Sequence, residues 1–247
     1  LKFKNVVENY IEILMKTYKS FINGQFVDNK SGKLFDVTNP ATGEVIYKMQ
    51  EADDFVIELA IKSSQKAFKE WSALPQIERT RLLQNVAKLL REKNDELAKV
   101  EVLDTGKPLQ EAIEVDIQTG ADAIEYFANL AHSTVGIQQQ VGDDFFYTRR
   151  EPLGITLGIG AWNYPLQIAC WKAAPALASG NVMIFKPSEE TPLGAIKLAE
   201  VFIEAGVPAG VFNVVQGAAE VGKALMNVPE IEEVSFTGEV GTGKKVM

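Results

Sequence analysis

Hydrophobic and polar residues alternate from Lys19 to Asn29 around Asn23-Gly24, the strongest short-range signal for a β-hairpin. A further extended piece is predicted over Leu34 to Val37, with turns at Asn39-Pro40 and Thr42-Gly43, and Val45 to Met49 alternates again. The period then changes. Between Asp53 and Trp71 the apolar residues Val56, Leu59, Ala60, Ala67 and Phe68 mark an amphipathic helix. After Pro75 the stripe Leu82, Leu83, Val86, Leu89 and Leu90 predicts a second helix to about Arg91, with a break at Asn94. A third helix carries Leu97 to Leu103 and stops at Gly106. Helical spacing continues from Leu109 to Leu130, weakened locally by Gly120. No period is visible between Ala131 and Asp144, and Phe145 to Arg150 is extended.

From Gly154 a different grammar begins. Strands ITLGIG, NVMIFK, VFNVV and VSFT alternate with helices over Pro165 to Ala178, Thr191 to Ala205 and Ala219 to Met226, and a last helix opens at Gly241. Continuously apolar strands between helices predict a parallel sheet covered on both faces, a Rossmann-like α/β fold. Ligands of such sheets sit beyond the carboxyl ends of the strands. Those ends are the segments 158–163, 186–189, 216–219 and 237–242, all expected on one edge. The chain divides into an N-terminal strand and hairpin unit (1–50), a helical part with an extended end segment (51–152) and the sheet proper (153–247), which is incomplete at its C-terminal end.

Composition narrows the partners. A net charge of −8 argues against nucleic acid or an anionic membrane. One cysteine in 247 residues allows no internal disulfide, which points to a reducing, cytoplasmic setting. No apolar run approaches the roughly 20 residues of a membrane span. The first segment, LKFKNVVENYIEILMKTYK, mixes charges into its apolar residues and lacks a small-residue cleavage site, unlike a signal peptide. The chain starts at Leu1 and stops at Met247 just as a helix is opening, the pattern expected of a piece of a longer protein.

Three stretches carry candidate nucleotide chemistry. Gly158, Gly160 and Asn163 follow a strand like a G-x-G-x-x-G turn whose last glycine is missing, which a plain strand-to-helix turn also explains. GEVGTGKK (238–245) resembles a phosphate-binding P-loop, but Lys245 stands where a magnesium-binding Ser or Thr is required. In KPSEE (186–190) a lysine and a glutamate stand on the ligand edge. There they suit sugar or phosphate oxygens and ribose hydroxyls, or are simply solvated loop residues.

Taken together, GAWNYP (160–165), KPSE (186–189), EAGVPAGVFNVVQG (204–217) and SFTGEVGTG (235–243) resemble the aldehyde dehydrogenase superfamily. LDTGKP (103–108) and YTRREPLG (147–154) extend the resemblance, which is nearest to the branch acting on betaine aldehyde and aminoaldehydes. It implies oxidation of an aldehyde, betaine aldehyde to glycine betaine in the first instance, with NAD⁺ or NADP⁺ through a cysteine thiohemiacetal. Other aldehydes, such as an aminoaldehyde or succinic semialdehyde, and a noncatalytic nucleotide-binding fragment are the alternatives. Family members are about twice this length, and their nucleophilic cysteine and water-activating glutamate lie in later segments. The chain therefore corresponds to an N-terminal half, truncated before the catalytic domain and expected to be inactive alone. Cys170 does not match the nucleophile motif and reads as a small buried thiol.

The resemblance also assigns residues. Asn163 becomes an arm of the oxyanion hole: a fixed N–H donor beside an aldehyde oxygen that turns negative. The same side chain could cap the helix opening at Pro165. Lys172 matches a charge-relay lysine, or forms a structural ion pair. Tyr164 and Trp171, seven positions apart on one helix, line an aromatic substrate tunnel suited to a quaternary ammonium, or are ordinary core, and Asp116 adds a negative charge nearby. Ile159, Gly160, Ala161, Trp162, Asn163, Lys186, Pro187, Ser188, Glu189, Gly217 and the run Thr237, Gly238, Glu239, Val240, Gly241, Thr242 are the implied cofactor residues. Glu189 favours NAD⁺ over NADP⁺. Glu239 departs from the pattern, because many relatives carry a small residue there and a carboxylate beside a diphosphate is unfavourable unless it turns away. Thr38, Asp104 and the backbone of Glu190 match a monovalent cation site, potassium for example, although Asp104 could equally cap the turn at Gly106. A small-molecule aldehyde is the implied partner, and the intact protein is expected to assemble as a dimer or tetramer.

Overall fold

The computed structural model describes residues 16–247. The reading of the N-terminal stretch as lacking a signal peptide falls largely on residues 1–15, outside the described ones. Among the described residues no helix is long and apolar enough to cross a membrane.

In chain order the first elements are β1 (Thr17–Tyr18), β2 (Ser20–Ile22), β3 (Gln25–Val27), β4 (Leu34–Thr38) and β5 (Val45–Gln50). The predicted hairpin forms: Ser20 pairs with Val27 and Ile22 with Gln25, and Asn23 and Gly24 turn with φ of 53° and 76°. That left-handed pair matches the twist of the flanking strands. β4 and β5 pair antiparallel, and β1 joins β5 in parallel as a small three-stranded sheet.

Helices follow: α1 (Asp54–Ala73), α2 (Gln76–Glu92) and α3 (Asn94–Thr105). Asp53 caps α1 by accepting from Val56 N, and Pro75 precedes α2. Gly106, at φ 72°, ends α3 where the sequence placed its stop. The helical run after it is interrupted by a π turn, Ala112–Asp116, before α4 (Ile117–Leu130). Gly120 does not break α4. It lets the helix carrying Cys170 approach, for a Cβ there would stand 3.1 Å from Cys170 Sγ. The stretch without visible period holds a single 3₁₀ turn (Ala131–Ser133) and then β6 (Gln138–Val141), which pairs with β7 (Asp144–Tyr147). Both strands of that hairpin are exposed on each face, so no burial pattern could have announced β6.

The remaining elements are β8 (Ile155–Ile159), α5 (Pro165–Ala178), β9 (Val182–Lys186), α6 (Leu193–Glu204), β10 (Phe212–Val214), α7 (Ala219–Met226), β11 (Ile231–Phe236) and α8 (Val240–Val246). Strands β11, β8, β9 and β10 are parallel in that spatial order. The sheet is nevertheless mixed, a departure from the all-parallel expectation. β2 pairs antiparallel to β10, and the β2–β3 hairpin completes six strands. β8 and β9 are buried at every position, as strands covered on both faces must be. Trp71 on α1 is fully buried and donates its indole N–H to the Leu177 carbonyl at 3.0 Å, tying α1 to α5 across the core.

The entry to β8 is fixed by one side chain. Buried Asn181 accepts from Leu153 N at 2.6 Å and Gly154 N at 3.0 Å. Asn181→Ala would leave two backbone donors unpaired and is expected to cost about 1–3 kcal/mol. Chemical denaturation should show it as a lowered midpoint at unchanged slope.

Candidate functional site

The carboxyl ends of β8, β9 and β11 open into one crevice of about 1070 Å³. Backbone bonds hold its loops together, Gly160 N to the Lys186 carbonyl (2.9 Å) and Thr237 N to the Ile159 carbonyl (3.1 Å). Ile159, Gly160, Ala161, Trp162, Asn163, Lys186, Ser188, Glu189, Thr237, Gly238, Glu239 and Thr242 all line it. Residues 163, 186 and 189 therefore share one recess rather than separate faces. Pro187, Gly217, Val240 and Gly241 do not line it. Pro187 instead offers its carbonyl to Lys186 Nζ at 2.8 Å. Gly217, at φ 153°, lets the chain pass over Val221, whose Cγ2 would lie 2.3 Å from an added Cβ.

Within the crevice Lys186 is buried, with its amine 3.6 Å from the Glu189 carboxylate. Burial pulls the amine's pKa down while Glu189 acts in the opposite direction. The pair presents a cation and a half-exposed carboxylate side by side. Glu239 caps α8, accepting from Thr242 N at 2.9 Å, and backbone donation from Gly241 and Thr242 holds its carboxyl below the usual range. Sequence reasoning missed Gly222, Lys223, Met226, Asn227, Phe236, Lys245, Val246 and Met247 as lining residues. Only the amphipathic period of α7 could have offered a signal for the first three.

Asn163 is exposed, and its side-chain amide makes no hydrogen bond among the described residues. It does not cap α5. Tyr164 holds the cap position, and Leu166 N is taken instead by Glu101 Oε1 from α3, at 3.0 Å. Glu101 is fully buried and was not singled out from the sequence. Its pKa stands well above the usual range, chiefly through burial and then through Asp116. Glu101 Oε2 and Asp116 Oδ1 are both buried without a hydrogen-bond partner.

Asp116 is thus buried, with Lys107 as its cation, and does not line the crevice. Lys107 Nζ also lies 3.8 Å from the centre of the Tyr164 ring, and Tyr164 donates to Glu111 Oε1 at 2.8 Å. Trp171, on the same helix, is half exposed, and neither aromatic lines the crevice. Lys172 is buried behind β8, donates to Ser235 Oγ at 3.2 Å and has no acidic partner among the described residues, so the alternative reading as a structural ion pair gains no support there. Burial brings its pKa down to about 8, near the range useful for proton transfer. Cys170 is buried, and desolvation pushes its thiol far up, which suits an inert core residue.

The cation residues do not converge. Thr38 and Glu190 line a separate recess of about 180 Å³ that also holds Asp36, Glu51 and Glu189, but Asp104 is not part of it. Asp104 accepts from the Tyr47 hydroxyl at 2.6 Å and from Leu193 N at 3.0 Å, deep in the core. Neither does it cap the Gly106 turn, since both its oxygens are committed. Among the described residues no cluster of three His, Cys, Asp or Glu side chains could hold a metal ion.

The family model described as the aldehyde dehydrogenase family matches residues 26–247. The chain is 60% identical over 234 residues to the betaine aldehyde dehydrogenase of Vibrio vulnificus strain CMCP6, covering 94% of this chain and 48% of that protein. The betaine aldehyde dehydrogenase of strain YJ016 matches equally, so the chain spans about half the length of the curated relatives it matches. Similar solved structures include the NAD⁺ complex of aldehyde dehydrogenase from Bacillus cereus (TM-score 0.91, 38% identity, 98% of this chain and 49% of that one). Another is indole-3-acetaldehyde dehydrogenase with NAD⁺ (TM-score 0.92, 36% identity, 98% and 49%).

Proposed function

The chain belongs to the aldehyde dehydrogenase family, and from that premise we propose that it is the cofactor-binding half of an enzyme oxidising betaine aldehyde to glycine betaine. The observation that carries this reading is the meeting of Asn163, Lys186 and Glu189 in one crevice. Its shape and donors fit a dinucleotide. Lys186 and Glu189 would hold the adenosine ribose, the walls at 159–162 and 237–239 would pass the diphosphate, and the far end reaches Asn163. NAD⁺ supplies the hydride acceptor when bound. Glu189 would accept from both ribose hydroxyls and oppose a 2′-phosphate, which favours NAD⁺ over NADP⁺.

The chain's own contribution to chemistry is an amide donor. Because Glu101 satisfies the start of α5, the Asn163 carboxamide is free to stabilise a developing alkoxide. Lys172, with its lowered pKa, is the residue suited to carry a proton away from the site. Thr38 and Glu190 share a recess that Asp104 does not line, so a potassium ion held by all three together has no support from the structure, and no step is assigned to it. Identity to betaine aldehyde dehydrogenases supports that substrate over an aminoaldehyde or succinic semialdehyde. The exposed apolar residues of the β6–β7 hairpin, Val141, Phe145 and Tyr147, support assembly into a homo-oligomer. A cytoplasmic location fits the lone buried thiol.

Calorimetric titration tests the cofactor. NAD⁺ should bind and Mg·ATP should not, and Lys186→Ala should weaken NAD⁺ by roughly tenfold. The reverse preference would favour a P-loop phosphohydrolase. The chain alone should not turn over betaine aldehyde. Turnover abolished by Cys170→Ser would overturn the assignment of that thiol as structural.

A further inference from the structure

On the dinucleotide reading, the sugar end of the crevice lies at Lys186 and Glu189 and its reaction end at Asn163. Gly160–Trp162, Thr237, Gly238 and Glu239 also line it, and on that reading the diphosphate passes among them. Glu239 is the one carboxylate on that middle stretch. Its exposed side chain bonds to Thr242 N at 2.9 Å, which holds it at the start of α8 and favours its charged form. Gly241 leaves room for this pose, since a Cβ there would lie 2.8 Å from Glu239 Oε2. Lys223 and Lys245 line the same recess, and Lys223 is paired with Glu220 at 2.6 Å.

We propose that Glu239 is an affinity and specificity determinant of this crevice, a fixed negative charge in the wall that weakens ligands carrying a diphosphate while leaving the uncharged nucleoside unaffected. The proposal rests on the dinucleotide reading above and gives that site its regulation by charge. The crevice holds NAD⁺ loosely, so that release of the cofactor is easier than its contacts at the two ends would allow.

Two substitutions test it on the full chain. Glu239→Gln removes the charge at equal length, and Glu239→Ser keeps a capping oxygen. Dissociation constants for NAD⁺, ADP and adenosine are measured calorimetrically in low and high salt. Both variants should bind NAD⁺ and ADP about three- to tenfold more tightly at low salt, with the gain shrinking at high salt as screening shortens the reach of the charge. Adenosine should bind all three proteins equally. If the unaltered chain binds NAD⁺ and neither variant improves on it, Glu239 has no opposing role and the proposal alone falls. Equal tightening of adenosine would trace the gain to loop rearrangement and also overturn it. If no version binds NAD⁺, the dinucleotide reading fails and takes the proposal with it.

Discussion

Glu101→Ala should destabilise the chain by about 3–5 kcal/mol, whereas Glu101→Gln should cost no more than about 1 kcal/mol. The difference comes from what the carboxyl does. Glu101 is fully buried, accepts from Leu166 N, and is held toward its neutral form by burial and by the charge of Asp116, which is itself bound to Lys107. Alanine removes the acceptor and strands the Leu166 donor. Glutamine keeps a neutral side chain of the same size with an oxygen for Leu166. Packing is equally exacting, because a Cβ on Gly194 would stand 2.6 Å from Glu101 Oε1. Denaturant unfolding of the three proteins measures the effect. Equal losses in both variants would show that the amide cannot stand in for the carboxyl, and would overturn the reading of Glu101 as a neutral acceptor.

Stability should fall as pH rises through the window set by Asp104. Burial raises this carboxyl from 3.8 to about 7 although Tyr47 and Leu193 both donate to it. A folded-state pKa above the unfolded value means that the native state binds more protons across the interval. The associated stability is therefore present below pH 3.8 and is lost as pH approaches about 7. At 1.36 kcal/mol per pH unit, that interval corresponds to about 4 kcal/mol. Other acids titrate in the same range, so Asp104→Asn serves as the reference. The wild-type advantage over the variant should shrink between about pH 4 and about pH 7 and stay level above. A constant difference would show that Asp104 keeps its charge in the core.

Most of the fold was legible because the elements are announced by their own residues. The bounds of α5 and α7 came straight from sequence, since Pro165 and apolar continuity mark one and amphipathic spacing the other. The hairpin at Asn23-Gly24 was equally plain, but its placement at the sheet edge was not, because pairing with β10 is a long-range event without a local signature. β6 escaped because neither of its faces is buried. For the site, the crevice residues near 160, 186 and 237 were found because strand ends in a parallel sheet must converge. Asp104 and Asp116 were misjudged because a sequence shows an acid but not its burial. One clue was available. Leu97, Val100, Glu101 and Asp104 fall on one helical face, and two acids on an apolar stripe mark carboxyls taken into the interior.

The attachment of β2 to β10 has a kinetic consequence. Phe21 pairs with Val214, Asn23 N bonds to Asn213 Oδ1, and Gln216 N bonds to Ser20 Oγ, joining residues 190 or more positions apart. Closing so wide a loop cannot precede synthesis of the late strand, so a nascent chain carries its first hairpin unmated until residue 216 clears the ribosome. Contacts of such high order make this the slow step of refolding.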